Sequence, residues 1–204
     1  MIISDILAYI GQLSIKITLF LGYPGIFILM AMESMIFPIP SELVMPFAGF
    51  LAFEGKFSFL FVVIASSLGS LFGSLISYYI GAYGGDRFVR KFGKYFLLDI
   101  SDLEKTEKWF DKRGGKTIFI SRFIPVVRHL ISIPAGIGKM DIKKFCLYTL
   151  LGATIWNTFL AYLGFLVGQN WNIISGYMEY ISIPIAIIIV LAGIFMIYRK
   201  MRDR

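Results

Sequence analysis

Four charged side chains stand inside two apolar stretches of the chain. Glu33 and Glu42 lie in one stretch, and Arg122 and Arg128 lie in the other. A guanidinium group stays charged and can hold phosphate through two parallel hydrogen bonds, so the arginines could bind an anionic head group. A desolvated carboxylate can take up a proton near neutral pH, so the glutamates could exchange protons.

Burial of these charges requires compensation. A single charge at the centre of a bilayer costs about 2.5–3.5 kcal/mol, so four without partners would cost on the order of 10–14 kcal/mol. The four must therefore pair, face water or bind something, and two purely structural salt bridges are the alternative to a binding site. His129 follows Arg128 and could relay protons, or could be a hydrogen-bonded structural residue.

The composition indicates a membrane protein. The chain has 204 residues, of which 57% are hydrophobic and 16% are charged. No acidic or basic residue occurs between Lys56 and Asp86, between Lys144 and Glu179, or between Glu179 and Arg199. Uncharged apolar runs longer than about 18 residues are typical of helices that span a bilayer. We therefore expect an all-α integral membrane protein.

Two of the apolar segments contain prolines as well as charges. We divide the chain into six segments, roughly 3–22, 26–53, 57–83, 117–138, 145–168 and 181–198. Proline breaks a helix, and broken, charged backbone at membrane depth survives only where protein or a water-filled cavity covers it. We predict about four transmembrane helices and two re-entrant hairpins, with two kinked transmembrane helices as the alternative. The predicted hairpin breakers are Pro38, Pro40 and Pro46 in the first hairpin, and Pro125 and Pro134 in the second.

The distribution of lysine and arginine favours the hairpins. Nine of these residues lie within 86–116, three within 139–144 and four within 199–204. If each hairpin returns to the side from which it enters, all sixteen face the cytoplasm, and the opposite side receives only Lys56. Both termini are then cytoplasmic, and the two hairpins enter from opposite faces of the membrane.

A weak internal repeat agrees with this topology. Residues 46–57 begin with Pro-Phe-Ala-Gly and end with Lys-Phe, and residues 134–145 begin with Pro-Ala-Gly and end with Lys-Phe. A long apolar span follows each of them and contains Gly81 or Gly164 near its end. Inverted repeats are typical of transporters with a substrate site at the repeat interface. We place repeat one at about 25–84, repeat two at about 117–168, and a last transmembrane helix at 181–198.

Residues 86–116 form the one sizeable polar stretch, and aromatic residues are interspersed with its basic ones. The capping box Ser101-Asp102-Leu103-Glu104 predicts a short helix that ends at Gly114-Gly115. This amphipathic cytoplasmic connector could lie on an anionic membrane surface, or could be a solvated link that fixes the topology. Because the net charge of +7 comes from residues that flank apolar spans, we expect no nucleic-acid partner.

Further polar and small residues lie near the charged segments. The spacing of Gly69 and Gly73 predicts close helix packing, and Asn157 is expected to bond a neighbouring helix or a broken hairpin backbone. Ser41 is a candidate N-cap for a half-helix that begins near Glu42. With one cysteine and one histidine in the chain, we expect neither a metal site nor a cofactor.

Three stretches of this sequence resemble the DedA family, the bacterial and archaeal branch of the group that shares the VTT (SNARE-associated) domain. The resemblance covers roughly residues 20–170, and its most specific part is the arginine and proline pattern that ends in Pro-Ala-Gly. The stretches that carry it are ESMIFPIPSELVMPFAG at 33–49, GSLFGSLISYYIGAYGG at 69–85 and SRFIPVVRHLISIPAG at 121–136.

The resemblance implies two opposing re-entrant hairpins in the plasma membrane. It also implies movement of a lipid between leaflets, either undecaprenyl phosphate recycling or phospholipid translocation, with coupling to a cation or proton gradient. The family's acidic positions correspond to Glu33 and Glu42, and its arginines correspond to Arg122 and Arg128. Some relatives place an aspartate further along the first hairpin, and a small hydroxyl residue is also common at the position of His129.

We therefore expect a flippase-like or scramblase-like lipid transporter, and no enzyme. Its expected partners are membrane lipids with anionic head groups, which would enter between the hairpins and meet Arg122 and Arg128. The sequence leaves a homo-oligomer open. A proton or cation antiporter with indirect effects on lipids is the alternative function. A lipid phosphatase is a third hypothesis, which one histidine and no metal cluster make chemically poor.

Overall fold

The structure is a computed structural model that describes residues 2–35, 39–96, 100–124 and 127–168. The secondary structure within these ranges is helical, as the all-α prediction requires. Pro38, Pro125 and the predicted transmembrane helix at 181–198 lie outside the described residues. The helices are α1 (Ile2–Leu21), α2 (Tyr23–Glu33), α3 (Ser41–Phe53), α4 (Phe59–Phe96), α5 (Ile100–Ser121), α6 (Val127–Leu130), α7 (Ser132–Ile137) and α8 (Ile142–Val167).

Two helices are long and apolar enough to cross a membrane, and they run antiparallel. Their apolar parts, Phe59–Gly84 of α4 and Ile142–Leu166 of α8, contain 26 and 25 residues. At 1.5 Å per residue each exceeds the hydrocarbon thickness of about 30 Å. The direction follows from the ring contacts at the two ends, Phe59 with Phe165 at 5.8 Å and Tyr78 with Phe145 at 4.9 Å.

The first proline-containing segment turns back to where it starts. The ring of Tyr23, at the start of α2, lies 5.1 Å from the ring of Phe57, which follows α3. The amide of Ser58 also donates to the Tyr23 hydroxyl at 2.7 Å. The predicted interruption between α2 and α3 is therefore present, and its two arms begin and end side by side.

The second segment has the same form with shorter pieces. α5 ends at Ser121, and two short helices, α6 and α7, follow before the chain reaches Met140. The sulfur of Met140 lies 3.1 Å from the position that a Cβ on Gly114 would occupy, so the start and end of this segment are also adjacent.

Some predicted helix boundaries are wrong. Pro46 lies inside α3 and Pro134 lies inside α7, so neither of them breaks its helix. Pro134 is the third residue of α7, where a missing N–H costs little because the first-turn amides have no intrahelical partner. α5 continues through Gly114 and Gly115 to Ser121, because these glycines allow close contact with Met140 and Tyr148 rather than ending the helix.

The second arm of each broken segment packs on the long helix of the other half of the chain. α3 packs on α8, and α7 packs on α4. Glycines make both contacts, because a Cβ on any of them would collide with a carbonyl oxygen of the facing helix. The pairs are Gly49 with Ala161 and Gly164 with Pro46 in the first contact, and Gly136 with Tyr78 and Gly81 with Ile133 in the second.

The first arm of the first segment packs on the long helix of its own half. A Cβ on Gly69 would collide with the carbonyl oxygen of Phe27, and one on Gly73 with that of Ala31. The prediction that these glycines allow close helix packing is therefore confirmed. Without side chains in the way, the backbones of α2 and α4 approach closely enough to fix α2 along α4.

Candidate functional site

Arg128 is the centre at which the two broken segments meet. Its Nη2 contacts the Glu33 carboxylate and the Ser41 hydroxyl, and lies 3.3 Å from Oε1 of Glu42. Glu33 is the last residue of α2, whereas Ser41 and Glu42 open α3. The interruption between those helices therefore turns three acceptors toward one guanidinium nitrogen. Arg128 and Glu33 are almost fully buried, at 5% and 2% exposure.

Arg122 lies beside this centre but binds neutral groups. Its Nη1 donates to the backbone carbonyl of Arg128 at 3.3 Å. Its Nη2 donates to the hydroxyls of Ser132 at 3.3 Å and Thr149 at 3.2 Å. The alternative of two salt bridges, one for each arginine, does not describe this arrangement, because both carboxylates contact Arg128.

Three buried N–H donors at this centre have no hydrogen-bond partner in the part of the chain that the structure describes. They are Nε of Arg122, Nε of Arg128 and Nε1 of Trp156. The Trp156 ring also faces the Arg128 guanidinium, which lies 5.6 Å from the ring centroid. An unsatisfied buried donor costs about 1–3 kcal/mol, so the centre is short of acceptors and an anion would supply them.

A small cavity adjoins the two arginines. It has room for about one water-sized molecule, which is too little for a phosphate group. A phosphate could therefore enter only if the carboxylates or the broken segments move apart. The residues that line the cavity are Glu33, Ser34, Ser70, Arg122, Arg128, Ala153, Trp156 and Asn157.

The remaining candidates near the site take defined places. Nδ1 of His129 lies 2.9 Å from the backbone carbonyl of Glu33, so the histidine contacts the end of α2. Asn157 donates to the Ser70 hydroxyl at 3.3 Å, which confirms the predicted bond between neighbouring helices. The prediction that Ser41 caps α3 is wrong, because Pro40 holds the cap position and the Ser41 hydroxyl contacts Arg128.

The sequence did not single out Ser132, Thr149 or the role of Trp156. Ser132 stands inside the proline-containing stretch, ten residues after Arg122, and a single serine at that spacing does not mark an arginine ligand. Thr149 and Trp156 belong to α8, which is apolar along most of its length, and they approach the arginines only through the packing of α8. A polar residue within a spanning helix was the available signal.

Comparison with known proteins identifies the family. The model of the VTT domain matches residues 39–166, which include α3, all but the last residue of α8, and both arginines. The chain belongs to the DedA family of VTT-domain membrane proteins. No solved structure matches this DedA-family protein.

Three curated relatives illustrate the range of names. Undecaprenyl phosphate transporter A of Bacillus subtilis is 36% identical over 200 residues, which is 98% of this chain and 95% of the relative. An alkaline phosphatase-like protein of Lactococcus lactis subsp. cremoris is 40% identical over 187 residues, which is 88% of this chain and 87% of the relative. Protein DedA of Escherichia coli is 30% identical over 142 residues, which is 69% of this chain and 64% of the relative.

Proposed function

We propose that this DedA-family protein is a transporter that moves a phosphate-bearing lipid between the two leaflets of its membrane. The observation that carries the proposal is the buried centre at Arg122 and Arg128, where unpartnered donors adjoin a cavity. A site with more donors than acceptors favours an anion, and guanidinium groups suit the oxygens of a phosphate.

The charge balance of the centre favours a phosphate monoester. With both glutamates ionised, the two arginines and two carboxylates sum to zero. Protonation of Glu33 and Glu42 leaves two positive charges, which match the roughly −1.5 to −2 charge of a phosphate monoester near pH 7. Undecaprenyl phosphate is such a monoester, and it is the lipid for which the Bacillus subtilis relative is named. A phosphodiester lipid carries one negative charge and would match this centre less well.

In this mechanism the carboxylates occupy Arg128 when no lipid is bound. Protonation weakens the contacts of Glu33 and Glu42 with Arg128, and the lipid phosphate then takes their place on the guanidinium. Release of the phosphate on the other side restores the carboxylate contacts. A proton gradient would drive the cycle because each turn loads and unloads protons at the glutamates.

The proposed topology has two opposing re-entrant hairpins, one in each half of the chain, related as an inverted repeat. Each broken segment returns to its starting point, and each sends its second arm to the long helix of the other half. That exchange of partners is what a symmetric pair of hairpins would produce. By the positive-inside rule, both termini are cytoplasmic and the protein is a multi-pass protein of the plasma membrane.

Leaflet exchange in proteoliposomes tests the proposed function. Purified full-length protein is reconstituted, and the exchange of undecaprenyl phosphate, phosphatidic acid and phosphatidylethanolamine is measured with and without a pH gradient. We expect faster exchange of the two monoesters, acceleration by the gradient, and loss of both effects in Arg128→Ala. The matched control is Lys143→Ala, which removes an exposed cation outside the site. Equal exchange in wild type and Arg128→Ala would sink the proposal.

The same vesicles separate this function from its two competitors. A proton or cation antiporter would carry charge in vesicles without the phosphate lipid, and would lose that flux in Glu33→Gln. A lipid phosphatase would release inorganic phosphate from the lipid, and this outcome is tested because the Lactococcus relative is named alkaline phosphatase-like. We expect lipid-dependent exchange with no phosphate release.

A further inference from the structure

A second, larger cavity lies on the exposed face of α5 and α6. Its volume is about 720 Å³, which is in the usual range for sites that hold a ligand of some size. Its lining is formed by Trp109, Lys112, Arg113, Lys116, Thr117, Ile120, Ser121, Ile124, Val127 and Ile131. We call this cavity the α5 groove.

The α5 groove changes from cationic to apolar along its length. One end carries Lys112, Arg113 and Lys116, and among the described residues none forms an ion pair with them. The other end carries Ile120 and Ile124, which are 58% and 45% exposed. A cationic end that continues into an exposed apolar end is complementary to a molecule with an anionic head and a hydrocarbon chain.

The cationic end is held in place by local contacts. The guanidinium of Arg113 lies 5.3 Å from the centroid of the Trp109 ring. Nε1 of Trp109 donates to the Thr117 hydroxyl at 3.1 Å, and that hydroxyl donates to the Arg113 carbonyl at 3.0 Å. Trp109 is 51% exposed, and a half-exposed indole beside cations is typical of the membrane interface.

We propose that the α5 groove binds a lipid with a phosphate monoester head, with the phosphate at Lys112, Arg113 and Lys116 and the hydrocarbon chain along Ile120 and Ile124. The groove is distinct from the arginine centre but adjoins it, since its lining residues Ser121 and Val127 immediately precede Arg122 and Arg128. A lipid held in the groove therefore contacts the residues that directly precede the two arginines in the chain. The groove is thus an entry site, a role that rests on the proposed transport, whereas the binding does not.

Charge selects this occupant over the chain's own C-terminal residues. Residues 199–204 contain four basic residues and one acidic residue, so they match a cationic groove poorly. Free inorganic phosphate would use the cationic end alone and leave the apolar end exposed. A neutral lipid would use the apolar end alone. Only a lipid with an anionic head uses both ends.

Quenching of Trp109 fluorescence tests the binding. The full chain with Trp156→Phe and Trp171→Phe keeps Trp109 as its one tryptophan, and is titrated in detergent micelles with phosphatidic acid that carries bromine on its acyl chains. We expect saturable quenching, and a half-saturating concentration that rises at least about tenfold in Lys112→Gln/Lys116→Gln, since each cation near a membrane surface contributes on the order of a fivefold change. Arg113 is kept because it contacts the reporter ring.

The controls decide between the possible occupants. Lys108→Gln removes an exposed cation of α5 outside the groove, and we expect its half-saturation to stay within about twofold of the parent's. Millimolar inorganic phosphate should not reverse the quenching, and brominated phosphatidylcholine should quench without saturating in the same range. Equal half-saturation in Lys112→Gln/Lys116→Gln, an equal effect of Lys108→Gln, displacement by phosphate, or equal quenching by phosphatidylcholine would overturn the proposal.

The entry role is separable from the transport function. Arg128→Ala should retain the quenching at Trp109 while it loses leaflet exchange. Lys112→Gln/Lys116→Gln should slow exchange at low lipid content and recover at high lipid content, because the arginine centre is intact. Exchange that is unchanged in this variant at every lipid content would refute the entry role. Binding in the groove without exchange by the wild type would refute the transport function and leave the groove as a lipid site.

Discussion

Arg128 and Arg122 are six residues apart and equally buried, but their surroundings differ. Arg128 contacts two carboxylates and a hydroxyl that all come from the first broken segment. Arg122 contacts one backbone carbonyl and two hydroxyls, all from the second half of the chain. Arg128 therefore ties the two segments together, whereas Arg122 carries a charge with no carboxylate in direct contact.

This difference separates two reasons for burying a cation. Removal of Arg128 strands two carboxylates, which is costly whether or not the protein transports anything. Removal of Arg122 strands only neutral groups and takes away an unpartnered donor. A complete loss of function at Arg122 with a much smaller loss of stability than at Arg128 would therefore identify Arg122 as a ligand for an anion.

The largest expected effect distinguishes the two arginines by leucine substitution. Arg128→Leu should lower the free energy of unfolding by about 3–5 kcal/mol, because Glu33 is left buried without its partner. Arg122→Leu should lower it by less, about 1–2 kcal/mol, because it leaves hydroxyls and a carbonyl rather than a carboxylate without their donor. Both should abolish leaflet exchange. Thermal unfolding in detergent and exchange in proteoliposomes measure the two quantities.

The double variant Glu33→Leu/Arg128→Leu is the control for this contrast. It removes both members of the buried pair, so it should recover most of the stability that Arg128→Leu loses while exchange stays absent. Recovery of exchange in the double variant would mean that the pair is purely structural. A large destabilisation by Arg122→Leu would contradict the difference drawn between the arginines.

Composition and the length of the uncharged runs were enough to predict the long helices, and the positions of the charges indicated which side chains would come together. α4 covers residues 59–83 of the predicted segment 57–83, and α8 covers residues 145–167 of the predicted segment 145–168. Long uncharged runs have few other stable conformations in a bilayer. Glu33, Glu42 and Arg128 meet in the structure, as expected for charges in apolar segments, which are costly without partners. Which arginine takes the carboxylates depends on the turn geometry, which residue types do not encode.

The helix ends were harder to predict, because proline and glycine have more than one use. Pro46 fits within α3, and Gly114 and Gly115 allow α5 to approach Met140 and Tyr148. A glycine that ends a helix and one that lets two helices touch have the same signature in a single sequence. Packing between distant segments decides between these uses.

The two glutamates provide an intermediate test, because they differ in burial. The Glu33 side chain is 3% exposed and that of Glu42 is 27% exposed, and both contact the same arginine. Glu33→Gln should therefore cost about 3 kcal/mol of stability, and Glu42→Gln about 1 kcal/mol or less. If Glu33 is the main proton carrier, its variant should also lose the acceleration of exchange by a pH gradient.

The control for the glutamates is Glu54→Gln, which removes a carboxylate that pairs with Lys56 outside the site. It should leave both stability and gradient dependence within error of the wild type, because an exposed pair contributes little. Retention of the gradient effect in Glu33→Gln and its loss in Glu42→Gln would reverse the roles assigned from burial.

His129 should give the smallest effect, and it sharpens the comparison by testing what holds the end of α2 against Arg128. Its Nδ1 bonds the backbone carbonyl of Glu33 at 2.9 Å, so the ring positions the residue whose carboxylate contacts Arg128. Loss of one such bond in His129→Leu should cost about 1 kcal/mol and slow exchange about fivefold. His129→Gln can still donate to that carbonyl, so it should recover most of the rate. A proton relay predicts otherwise: His129→Gln would then lose the rate and shift the pH profile of exchange as much as His129→Leu does, because glutamine does not titrate.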